Sequence, residues 1–177
     1  MIIYEDKFLI LLLDENNILI ARIKPDYENN SSYICSSIDK MIEGIGNTYQ
    51  SFYKLNNKLG LIFDTRELRN ILPLSCVWNI AKFFSGIKDL TEEIAVGSSV
   101  ITANDTIISL VNAFSKLYQN VKPMKFCKDY DEGCDFIKEL FKNSKILTVN
   151  VNDNNNIDND NIDNDNIDNL IDKYTNQ

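Results

Sequence analysis

The sequence predicts an α/β fold: a mixed sheet of about five strands, opening with an N-terminal hairpin and continuing as alternating strands and helices packed on the sheet. Three observations carry this. Two dense apolar runs, Phe8 to Leu13 and Ile18 to Ile23, flank the polar break Asp14-Glu15-Asn16-Asn17, which is the pattern of an antiparallel hairpin. From Tyr33 onward, segments with apolar residues at helical spacing alternate with short apolar runs. Between them, Leu59-Gly60-Leu61-Ile62-Phe63 stops abruptly at Asp64-Thr65, which reads as a buried central strand with a polar pair at its carboxyl end. Strands alternating with helices imply parallel neighbours and right-handed crossovers.

Each element follows from its residues. Met1 to Tyr4 can extend the first strand. Pro25 to Ser32 is a polar loop, and its Asn29-Asn30-Ser31-Ser32 cluster offers N-caps for the helix that follows. In that helix Ile34, Ile38, Met41, Ile42, Ile45, Tyr49 and Phe52 recur on one face. Gly44 and Gly46 each weaken a helix by about 1 kcal/mol relative to Ala, which places a kink or an end near Gly46. After Asp64 comes a mixed loop, then a helix from Pro73 to about Leu90 with an apolar stripe of Val77, Ile80, Ala81, Phe84 and Ile87. Gly97 to Thr102 is the next strand. Asn104 or Asp105 caps a helix through Ile107, Val111 and Phe114. Val121 to Cys127 is a strand that tolerates Pro123 only at a sheet edge. A last helix starts at Asp129 or Asp131 and turns Tyr130, Cys134, Ile137, Leu140 and Phe141 inward; Lys145 to Val149 can add an extended piece.

The 177 residues divide into an α/β domain over 1–145 and an Asn/Asp-rich tail over 146–177. The tail repeats Ile-Asp-Asn-Asp-Asn every five residues, a period that builds no apolar face on a helix or a strand, so it is expected to be disordered. It has neither the Gly nor the closing Glu of a calcium-binding loop. From Val151 on there are seven Asp and one Lys, so most of the formal charge of -8 sits in the tail. The body carries 19 acids and 17 bases and shows no basic patch, which argues against nucleic-acid binding.

The chain has no histidine, which excludes Ser-His-Asp triads, Cys-His dyads and imidazole-ligated zinc. Its four cysteines, Cys35, Cys76, Cys127 and Cys134, form no CxxC pair. No phosphate-binding glycine loop and no nucleophile elbow is present. Met1 to Leu13 lacks the basic start of a signal peptide, and no apolar run reaches the roughly 18 residues of a membrane span. The expectation is a soluble, cytoplasmic, reduced protein with no metal, no cofactor and no catalytic residue. Asp64 is the only carboxylate placed at a strand end beside a potential cleft.

The run Gly60-Leu61-Ile62-Phe63-Asp64, a loop and helix, Val100-Ile101, a helix, Val121 to Phe126 and a final helix with Phe136-Ile137 resembles the STAS family (sulfate transporter and anti-sigma factor antagonist domains), in particular its SpoIIAA-like group. The resemblance covers about Phe8 to Phe141. It implies a small domain without catalysis of its own that works through protein contacts or through nucleotide or lipid-like ligands. Ser75 lies near the position of the family's phosphorylatable serine, but the Asp before it and the Gly after it are missing here. The leading expectation is a non-enzymatic regulatory or scaffolding module that docks a protein partner through Asp64, Thr65, Ser75 and Trp78. The alternative is a small-ligand carrier, lipid-like or nucleotide, with a pocket between sheet and helices near Phe52, Phe83, Phe84 and Phe114; an enzyme using Asp64 ranks third.

Overall fold

A computed structural model describes residues 1–69, 72–117 and 122–147, including every side chain in those ranges except those of 114–117 and 145–147. The expected disordered tail lies outside the described residues from 148 on. Strands β1 (Ile2–Glu5), β2 (Leu9–Leu13), β3 (Ile18–Ile23), β4 (Leu59–Asp64), β5 (Ala95–Ile101) and β6 (Met124–Cys127) form one sheet, in the spatial order of the chain. β1, β2 and β3 pair antiparallel; β3 to β6 pair parallel. The α/β class and the mixed sheet are as the sequence implies.

The sheet has six strands rather than about five, because Ile2–Glu5 is a strand of its own. The reason is Asp6, whose Oδ1 accepts from the backbone N–H groups of Phe8 and Leu9 and closes a tight turn between β1 and β2. The β2–β3 turn is closed the same way, with Asp14 accepting from Asn16 and Ile18 and Asn17 in the left-handed region.

Helix α1 (Ser31–Lys54) is capped by Asn30, which accepts from Tyr33 N–H, and it runs unbroken past Gly46. Its two glycines mark close approach, not an end. A Cβ on Gly44 would stand 2.7 Å from Leu11 Cδ2, and one on Gly46 3.3 Å from Phe83. The helix expected from Pro73 to Leu90 is two: α2 (Leu74–Gly86) and α3 (Lys88–Ile94), parted at Gly86 and Ile87. α4 (Asp105–Leu117) starts at Asn104, whose side chain accepts from Thr106 and Ile107 N–H. α5 (Tyr130–Leu147) is helical where an extended piece was expected from Lys145. β6 begins after Pro123 and lies at the sheet edge, where a proline is harmless.

Strand alternation sends side chains to two faces. Leu9, Leu11, Leu19, Leu59 and Leu61 join Ile38, Met41, Ile45, Tyr49 and Phe52 of α1 and Cys76 of α2 in the larger core. Ile18, Ile20, Ile62 and Ile101 join Cys134 and Ile137 of α5 on the opposite face. α5 sits so close that a Cβ on Gly60 would come within 2.3 Å of Ile137 Cγ2. Successive right-handed crossovers in strand order place their helices on one side, so α5, which follows the last strand, is free to cover the other. Among the described residues, no helix is long and apolar enough to cross a membrane.

Cys35 of α1 and Cys76 of α2 form a disulfide, with Cα atoms 5.2 Å apart. This corrects the expectation of a fully reduced chain. Packing α2 on α1 brings the two residues within bridging distance, and no sequence spacing announces that. Cys127 and Cys134 are free and buried.

Candidate functional site: an apolar cavity and the Asp64 corner

Asp64 ends β4 on the α5 face, together with Arg22 at the end of β3, its partner in the strand register. Its side chain is only 3% exposed. Arg22 Nε donates to Oδ2 at 3.1 Å; Arg66 donates from Nε to Oδ1 at 2.9 Å and from Nη2 to Oδ2 at 2.8 Å. Burial pushes the Asp64 carboxyl up, but the hydrogen bonds and charge of Arg66, with Arg22 behind, outweigh it and hold the carboxyl below its usual value. The Arg22 guanidinium lies 5.0 Å over the Tyr130 ring at the start of α5. Asp64 is thus an ionised anchor joining the sheet to the loop at Arg66. An acid matched on both oxygens by two guanidinia is poorly placed to move protons.

On the other face, between β4–β6 and the helices α1 to α4, lies a cavity of about 300 Å³. Leu61, Phe63 and Val100 form its floor; Met41, Val77, Ala81 and Phe84 line one wall, and Ile107, Leu110 and Val111 of α4 another. α4 is amphipathic, and Ile107, Leu110 and Val111 of its apolar stripe border the cavity.

The cavity's surface is mostly apolar. Arg22, Asp64, Thr65, Asn104 and Thr106 border the carboxyl end of the strands, Ser98 lies beside Leu61 in the floor, and Lys88, Thr91 and Lys122 line the amino end. Lys88 pairs with Glu92 at 4.0 Å, and Lys58 donates to the Glu93 carbonyl. Lys122 is half-buried and makes no ion pair among the described residues. Burial, with Lys58 adding to it and Glu92 opposing, lowers its pKa. Tyr49 also lines the cavity; it is 2% exposed, and burial raises its pKa.

The four residues singled out in the sequence do not form one surface. Asp64 is buried on the α5 face. Thr65 donates its hydroxyl and its N–H to the Ile101 carbonyl, which ties β4 to β5, and it borders the cavity. Ser75 is exposed on the first turn of α2, its Oγ 3.6 Å from Cys35 Sγ. Trp78, one turn on, is 39% exposed, as is its neighbour Leu74 at 46%. Of the aromatics behind the carrier alternative, Phe84 lines the cavity, Phe83 packs edge-on against Phe84, Phe52 is in the core, and the Phe114 side chain lies outside the described residues. Sequence reasoning missed Arg22, Arg66, Tyr49 and Lys122. Arg22 left a signal: it holds the Ile18–Ile20 face of its strand, so only an inward acid could match it. Lys122 left none, because its role depends on how α4 crosses the sheet.

No group of three or more Cys, Asp or Glu among the described residues is arranged to hold a metal ion. Comparisons of the chain with family models, with curated proteins and with solved structures return no match.

Proposed function

We propose that this chain is a non-enzymatic, STAS-like α/β module that binds a small apolar or amphipathic molecule between its sheet and α4. The observation that carries this is the cavity of about 300 Å³ with its almost wholly apolar wall. Binding pockets for small molecules are of this kind: concave, apolar, with a few polar groups, and from about 300 Å³ upward. The STAS-like assignment rests on the order of elements from the β2–β3 hairpin to α5.

The test is a thermal melt with increasing dodecanol. A ligand at 100 times its Kd stabilises by about 2.7 kcal/mol, which for a body of this size raises Tm by roughly 5–10 °C. No rise, with the fold intact by circular dichroism, refutes the reading.

Leu74 and Trp78, exposed one turn apart around Ser75, support a second reading, a protein-docking face on α2. A regulatory ligand in the cavity beneath α2 is compatible with it. As for the compartment, a reducing cytoplasm would hold Cys35 and Cys76 as thiols, whereas their disulfide belongs to an oxidising one.

A further inference from the structure

The cavity is not uniformly apolar, and its one unmatched charge among the described residues is placed where a ligand's head group would end. Lys122 stands just before β6; the neighbouring Pro123 carbonyl accepts from Ser98 N–H, which fixes this segment beside the start of β5. There Lys122 lines the amino end of the cavity, half-buried and without a carboxylate of its own. Nearby Glu92 is already shared with Lys88. A part-covered ammonium at the mouth of an apolar cavity, with no carboxylate of its own, offers a charge partner to an anionic head. Tyr49 of α1 lines the same cavity and carries a hydroxyl.

We infer that the ligand is a single-chain amphiphile with an anionic head, a fatty-acid-like carboxylate whose alkyl chain fills the cavity and whose head pairs with Lys122. The volume, at the low end for ligand pockets, suits one chain and not the two of a phospholipid. The chain gains about 0.8 kcal/mol per methylene buried. The head adds the discrimination: Lys122 favours a carboxylate over an alcohol of equal length. This inference rests on the proposed cavity function and names its ligand class.

Calorimetric titration of the full chain with dodecanoate, dodecanol and dodecylamine separates the two claims. The expected order is dodecanoate tightest, by about tenfold over dodecanol (about 1.4 kcal/mol), with dodecylamine weakest. In Lys122→Met, dodecanoate and dodecanol become equal; in Lys122→Arg the preference stays. Lys122 is at the surface end of the cavity, so Lys122→Met should fold, as a circular-dichroism melt will show. If dodecanol binds as tightly as dodecanoate to the unaltered chain, or if Lys122→Met keeps the tenfold ratio, the carboxylate assignment is overturned while the cavity function stands. If none of the three binds, both fall.

Discussion

Replacing Asp64 by Asn removes one charge from between two guanidinia and almost nothing else. In the native chain the carboxylate accepts from Arg22 and from both the side chain and backbone of Arg66, at 2.8 to 3.4 Å. Breaking a fully buried ion pair costs about 3–5 kcal/mol. Here only the acid is buried, and the arginine side chains are 41% and 42% exposed, so solvent carries part of the load. We expect Asp64→Asn to destabilise by about 2 kcal/mol at pH 7. With a urea m-value of about 2 kcal/mol/M, the midpoint should fall by about 1 M. The sign with pH follows from the direction of the shift. The native carboxyl titrates below its unfolded value of about 3.9, so its contribution is complete above roughly pH 5. It is lost as pH falls through the native pKa. Urea melts of both chains at pH 7 and near pH 2 should therefore show the gap at pH 7 and its near-disappearance at pH 2. A gap equal at both pH values, or none at pH 7, refutes the ion-paired account of this corner.

Other expectations follow from the same packing. Ala81→Phe places a ring in the cavity; it should abolish amphiphile binding while leaving Tm unchanged or higher, and a ligand-dependent Tm rise in this variant would contradict the cavity's position. Gly60→Ala puts a Cβ against Ile137, only 2.3 Å from Cγ2, and should destabilise by about 1–3 kcal/mol in urea melts. Reducing the Cys35–Cys76 disulfide frees a 41-residue loop in the unfolded chain. That should remove about 4 kcal/mol of stability, seen as a Tm drop of roughly 10 °C with dithiothreitol and absent in Cys35→Ser, which starts at the lower Tm.

What the sequence showed and what it hid divide along physical lines. The hairpin, the Leu59–Asp64 strand and the amphipathic helices were legible because each is written in local periodicity and turn chemistry. Gly44 and Gly46 misled because their reason is not local: they admit Leu11 and Phe83 against α1. β1 was hidden because a single side chain, Asp6, makes its turn. Asp64 was found as a strand-end acid, but its meaning depends on Arg22, 42 residues away and its neighbour only by strand register. The cavity was the least legible feature. Phe63, Val77 and Ile107 read as ordinary core residues, and only the tertiary arrangement of sheet and helices turns them into walls.

The most direct test of the central claim is native mass spectrometry of the chain purified without detergent, followed by organic extraction of whatever it carries. The account predicts a single added mass of a few hundred daltons or less that extraction releases as a one-chain carboxylic acid, and that is missing from Ala81→Phe. A chain that flies at its bare sequence mass, and stays there after incubation with dodecanoate, would contradict it.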